Sequence, residues 1–158
     1  MVQDAAVDEG QDRIAEVYRE QAETMWRALF SFSGDREVAS DAMAEAFARA
    51  LRDRGTIRDP GSWTWRVAFR LANAELRRRR TITSIEESSY EMPAPVPELM
   101  VALRKLSPNQ RLSVVLHDYA DRPTQEIADI LGCSRATVHV HLSRARRRLR
   151  SFLEVSDA

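Results

Sequence analysis

The chain has 158 residues, with 24 basic and 24 acidic side chains and a formal net charge of zero. That balance excludes polyanion binding by bulk charge alone, and the single cysteine, Cys133, excludes an internal disulfide or a cysteine-rich metal site. No apolar run approaches the ~20 residues needed to span a bilayer, and the length suits one domain or two small modules.

Charge is segregated along the chain. Residues 1–35 carry 3 basic and 8 acidic groups, 36–80 carry 11 and 6, 81–103 carry none and 4, and 104–150 carry 10 and 4. Two basic blocks separated by an acidic connector suit two modules that touch a polyanion and a tether that does not. Lys105 is the only lysine, and arginine favours bidentate phosphate contacts.

The first residues, MVQDAAVDEGQD, are acidic and lack the apolar core of a signal peptide, so a cytoplasmic protein is expected. Residues 1–12 read as a polar, disordered segment. From Arg13, the positions Ile14, Val17, Tyr18, Met25, Ala28 and Leu29 recur at helical spacing to about Phe32, and Ser33-Gly34-Asp35 breaks the pattern. A second helix is predicted from about Glu37 to Arg52. Its buried stripe is Ala39, Ala42, Met43, Ala46, Phe47, Ala50 and Leu51, and its other face shows Ser40, Asp41, Ala44, Glu45 and Arg49.

Residues 52–62 form a loop by Gly55, Gly61 and Asp59-Pro60. Trp63 then opens a long helix to about Arg80, with Trp63, Val67, Leu71 and Ala74 on one face and Trp65, Phe69, Ala72 and Leu76 beside them. The apolar residues exceed one stripe, so some aromatics belong to an interface or are available to bases; Trp63 is assigned to the core. Melted DNA can stack on aromatic or guanidinium planes, and Arg77 to Arg80 would hold phosphates.

Residues 81–97 lack basic side chains and bring prolines at alternate positions near their end, the composition of an extended acidic linker. From Glu98 a helix carries Leu99, Val101, Leu103 and Leu106. Ser107-Pro108-Asn109-Gln110 is a capping box with proline at the first helical position. The helix it opens holds Leu112, Val115, Leu116 and Tyr119 and ends at Asp121-Arg122-Pro123.

Residues 124–150 read as a helix-turn-helix. Thr124 can cap a first helix to Leu131, Gly132 can close it in the left-handed conformation, and Ser134 can cap the next. At about 100° per residue, Val138, Leu142, Ala145 and Leu149 face the core. The opposite arc carries Ala136, Val140, Ser143 and Arg147, flanked by His139, Arg144 and Arg150. Small and hydroxyl groups near a helix start can meet base edges while arginines further along reach phosphates. His117, His139 and His141 lack partners at metal spacing, and there is no glycine-rich phosphate loop, so no enzyme constellation or cofactor site is expected.

Leu106-Ser107-Pro108-Asn109-Gln110-Arg111, Glu126-Ile127-Ala128, Gly132, Ser134, Thr137-Val138 and Arg144-Ala145-Arg146 resemble region four of bacterial sigma factors. Residues 63–80 resemble their region two. Over residues 17–152 the chain resembles a small two-domain sigma factor of the extracytoplasmic-function (ECF) group. The resemblance implies an all-α fold of two small helical domains, 13–80 and 98–153, joined by the acidic, proline-containing linker at 81–97.

It also implies partners: core RNA polymerase through its beta-prime clamp helices and beta flap, promoter DNA, and an anti-sigma factor. In the resemblance, Ser40, Asp41, Ala44, Glu45 and Arg49 meet polymerase. Trp65, Arg66, Phe69, Arg70, Asn73, Arg77 and Arg78, with the loop before them, grip the minus-ten element and trap a flipped-out base. Arg135, Ala136, His139, Val140, Ser143, Arg144 and Arg147 read the minus-thirty-five element. The linker threads toward the RNA exit channel. Asp41 and Phe47 fit the family pattern, whereas Ala44 stands where the family usually has glutamine and Arg70 where it commonly has asparagine.

Two other readings stay open. Thr137-Val138-His139 also resembles the output helix-turn-helix of response regulators, which would make the chain a conventional transcriptional regulator. The departures at Ala44 and Arg70 suit a helical adaptor that binds polymerase or an anti-sigma factor without reading promoters.

Overall fold

A computed structural model describes residues 2–83 and 97–156, and every regular element among them is helical. The chain divides into two compact units, Met1–Ala74 and Glu75–Ala158. The division falls within a continuous helix rather than after residue 80.

The first unit holds α1 (Val2–Ser33), α2 (Arg36–Arg52) and most of α3 (Pro60–Thr83). Residues 2–12 are helical, against the expectation of disorder. They contain no proline, and extending an anchored helix adds a hydrogen bond per residue without a second nucleation cost, so Asp8, Glu9, Gln11 and Asp12 simply stay exposed on the helix surface. Gly34, at φ +68°, ends α1, its N–H reaching the Phe30 carbonyl at 2.7 Å. Asp35 then caps α2, its Oδ1 accepting from the N–H groups of Glu37 and Val38 at 2.8 and 3.0 Å.

Alanines at 39, 42, 46 and 50 form the buried face of α2 with Val38 and Phe47, and small side chains let two helix backbones approach closely. Met25, Leu29 and Phe32 of α1 are buried with Trp65 and Phe69 of α3. Each such side chain contributes about 1.5–3 kcal/mol on burial. Leu51, expected inside, is exposed in the last turn of α2. α3 begins at Pro60, not Trp63, because Asp59 acts as its cap: Asp59 Oδ1 accepts from Ser62 N at 3.1 Å and proline takes the first helical position. At its other end α3 continues through residues 81–83, placed in the linker by the sequence; linker residues 84–96 lie outside the described residues.

The second unit contains α4 (Pro97–Lys105), α5 (Pro108–Val114), α6 (Thr124–Leu131) and α7 (Arg135–Ser156). The capping box forms as expected, Ser107 and Gln110 exchanging backbone and side-chain hydrogen bonds at 3.3 Å each. On α4 the buried positions are Met100, Ala102 and Leu103, continued by Leu106 just past its end, while Leu99 and Val101 face solvent. α5 runs into a π turn at Val115–Tyr119, closed by Ala120 N–H to the Val115 carbonyl at 3.1 Å and followed by Asp121 at φ +57°. Aspartate tolerates the left-handed region better than most side chains. The wider turn leaves Leu112, Val115 and Leu116 inside but rotates Tyr119 out to 50% exposure, correcting its placement in the stripe.

Candidate nucleic-acid interface

α6 and α7 form the expected helix-turn-helix. Gly132 adopts φ +67°, and the N–H of Cys133 reaches back to the Ala128 carbonyl at 3.1 Å. Ser134 caps α7, its Oγ accepting from Thr137 N at 3.1 Å and lying 2.9 Å from Thr137 Oγ1. Thr124 does not cap α6: the preceding Pro123 carbonyl accepts from Glu126 and Ile127 N–H, with no side-chain cap. Instead Arg122 anchors this end by a bidentate pair to the buried Glu126, Nε–Oε2 2.6 Å and Nη2–Oε1 3.1 Å. Paired in this way, a buried carboxylate keeps its charge satisfied.

Val138, Leu142 and Ala145 are buried and Leu149 is half-buried, so the predicted phase of α7 is correct. Arg135, Ala136, His139, Val140, Ser143, Arg144, Arg147 and Arg150 are all exposed, Val140 by 45%. No acidic residue interrupts α7 before Glu154, so Arg135, Arg144 and Arg147 have no acidic neighbour within a turn on their own helix. The arginine run is divided by its partners. Arg146 donates from Nη2 and Nε to the two Asp118 oxygens at 2.6 and 2.9 Å, and Arg148 reaches Gln110 Oε1 at 3.2 Å and lies over the Phe152 ring. Arg146 holds the Asp118 carboxyl below its usual range, burial opposing and His117 adding to the effect. Burial, then the charge of Arg144, lowers the His141 pKa, and burial raises that of the Cys133 thiol.

α3 departs from expectation. Trp65 is 2% exposed and Phe69 is fully buried, the two rings stacked at 6.0 Å, with Trp65 Nε1 donating to Gln21 Oε1 at 2.7 Å. Neither ring can receive a base, and Asn73 is also buried. The buried seam is Thr64, Trp65, Ala68, Phe69, Ala72 and Asn73, which turns the other aromatic, Trp63, outward to a half-buried position. Trp63 therefore replaces Trp65 and Phe69 in the accessible set with half-buried Arg66 and exposed Arg70, Arg77 and Arg78. The pairing of residues at i, i+1, i+4 and i+5 from Thr64 onward was the available signal. Glu75 ties Arg78 and Arg79, its Oε1 at 2.7 Å from Arg78 Nη2 and 3.0 Å from Arg79 Nε, and these bonds bring its carboxyl pKa down to about 2.

On α2, Ser40, Asp41 and Ala44 are exposed, with Ser40 Oγ accepting from Trp26 Nε1 at 3.0 Å. Glu45 and Arg49 are half-buried and paired at 2.8 Å, a bond that lowers the Glu45 pKa. Among the described residues no group of histidine, cysteine and carboxylate side chains is placed to hold a metal, and no helix is long and apolar enough to cross a membrane.

The family described as sigma-70, region 4, matches residues 97–149, which run from the start of α4 into α7. The RNA polymerase sigma-E factor of Streptomyces antibioticus is 32% identical over 162 residues, covering 90% of this chain and 85% of that protein. The chain belongs to the ECF group of the sigma-70 family. This sigma factor is also 31% identical to the ECF RNA polymerase sigma factor SigE of Mycolicibacterium smegmatis, over 87% of its own length but only 60% of that relative's. Its fold is that of the sigma factor RpoE of Bartonella quintana, solved in complex with the anti-sigma factor NepR, with a TM-score of 0.73 at 22% identity over 89% of this chain and 98% of that one.

Proposed function

We propose that this sigma factor joins core RNA polymerase and confers promoter choice by binding alone, reading duplex DNA with α7 and opened DNA with α3 and the loop before it. The observation that carries the reading is α7 itself: a fully buried aliphatic seam and, opposite, an unbroken cationic face with Ala136, Val140 and Ser143 at its centre. Those three offer methyl and hydroxyl groups to base edges, and Arg135, Arg144 and Arg147 supply phosphate contacts that fix the register. On α3, Trp63 offers a stacking plane and Arg66, Arg70, Arg77 and Arg78 a positive track, so capture of unpaired bases assists melting. The exposed face of α2 around Ser40, Asp41 and Ala44 is the polymerase contact by family likeness, with the beta-prime clamp helices as its partner and the beta flap meeting the C-terminal unit.

Two weak DNA contacts on one chain suffice, because the first raises the effective concentration of the second. A cytoplasmic location follows from this role. By likeness to the Bartonella RpoE complex, an anti-sigma factor holds the protein in reserve. The test is run-off transcription by holoenzyme reconstituted from this chain and core polymerase on a promoter library. Transcripts with a shared two-part sequence are expected. Polymerase binding without transcripts would favour the adaptor reading that Ala44 and Arg70 suggest, and palindrome binding without polymerase would favour a conventional regulator.

A further inference from the structure

We propose that one face of α1, formed by Gly10, Arg13 and Gln21, is a brace that positions the loop between α2 and α3 for base capture. The inference rests on the function just proposed for that loop and adds residues none of which is expected to touch DNA. Spacings of three and eight put the three on a common side of a helix.

Each meets the loop or the start of α3 at a different point. A Cβ on Gly10 would lie 3.3 Å from the Arg54 carbonyl oxygen and 3.3 Å from Arg54 Cβ, so the absent side chain is what lets α1 lie against the loop here. Arg13 Nη2 donates to the Arg58 carbonyl at 2.5 Å. Gln21 Oε1 accepts from Trp65 Nε1 at 2.7 Å, and its Nε2 lies 3.4 Å from where a Gly61 Cβ would stand.

Within the loop, Thr56 N–H and Oγ1 both reach the Asp53 carbonyl at 2.9 Å, and Ile57 is buried as a central pin. Gly55, Thr56, Arg58 and Asp59 remain exposed. The brace meets the loop chiefly at main-chain carbonyls, those of Arg54 and Arg58. It sets the path of the backbone and leaves the exposed side chains of Thr56 and Arg58 to face a base. A site held on a loop is only as accurate as the groups that support it, and a displacement of about 1 Å costs on the order of 100-fold in a positioned reaction.

The experiment uses reconstituted holoenzyme with the full chain, carrying Arg13→Ala, Arg13→Lys or Gly10→Val. Two probes derive from a promoter selected by the parent holoenzyme: a fork junction with an unpaired non-template minus-ten strand, and a minus-thirty-five duplex. Arg13→Ala should raise the Kd for the fork about fivefold, the worth of roughly one ordinary solvent-exposed hydrogen bond. Gly10→Val should raise it about tenfold, since a branched side chain must push the Arg54 carbonyl aside. Arg13→Lys, which keeps a cationic donor, should return it to within about twofold of the parent. Core-polymerase affinity and duplex binding should stay within about twofold throughout, the margin expected when no contact to either partner is removed.

Fork binding by Arg13→Ala equal to the parent's overturns the brace, as does a parallel fall in fork, duplex and polymerase binding. A parent holoenzyme that captures no fork overturns the proposed function instead, and the brace with it.

Discussion

α3 and α7 are both long and arginine-rich, yet they divide their surfaces differently. α7 buries a narrow line of Val138, Leu142 and Ala145, flanked by half-buried His141, Leu149 and Phe152, and gives the opposite arc to solvent. α3 buries the large rings of Trp65 and Phe69 together with Thr64 and Asn73, leaving Trp63 half-covered at the edge of its arginines. A helix whose apolar residues occupy one arc has its orientation dictated locally. A helix with apolar residues on two arcs is oriented by its neighbours, here by Gln21 and Phe32 of α1, which take the Trp65 indole N–H and the Phe69 ring.

The largest test of this contrast is Trp65→Ala, which should cost about 3–5 kcal/mol of stability by leaving a cavity in the first unit. Trp63→Ala should cost far less and show its main effect as weaker fork binding; denaturant melts beside fork titrations separate the two. If Trp65→Ala proves harmless to stability, the burial assignment on α3 is reversed. On α7, Val140→Glu should remove about 1–3 kcal/mol of discrimination at the upstream element and leave the circular dichroism spectrum intact, because Val140 lies outside the seam. Unfolding of that variant would mean the helix phase is wrong.

Arg144→Ala and Arg147→Ala should each make the slope of log affinity against log salt less negative by about 0.9. Arg146→Ala and Arg148→Ala, whose side chains are engaged by Asp118 and Gln110, should change the slope less. The smallest effect belongs to Glu75. Its carboxyl pKa is depressed from 4.5 to about 2 in the folded chain, so its contribution is complete above about pH 4.5 and disappears as pH falls toward about 2. Parent and Glu75→Gln melting curves should therefore converge over that interval.

The C-terminal unit was legible because its signals are local. Ser107 with Gln110 states a helix start, Gly132 a helix end, and Ser134 the next start, each within four residues. The π turn was not legible: no residue type demands it, and it follows from how Leu116 and Arg122 close the end of α5, the Arg122 N–H bonding the Leu116 carbonyl at 2.8 Å. On α4, reading Leu99 and Val101 with Leu103 mixed a two-residue with a three-residue spacing, and the helix buries Met100 with Leu103 and Leu106 instead. Asp59-Pro60 has the composition of a breaker but acts as a cap followed by a helix start, which puts the beginning of α3 about one turn earlier than a loop reading implies.

The hold of Asp118 on Arg146 and of Gln110 on Arg148 ties the middle of α7 to α5 and to the π turn that follows it. A rod held by a buried seam and tied again on its flank resists rolling about its own axis, so Val140 and Ser143 keep one azimuth whatever sequence lies below them. Such a reader cannot re-aim to accommodate a mismatched base pair, and retargeting it would take new side chains at those positions instead of a looser hinge.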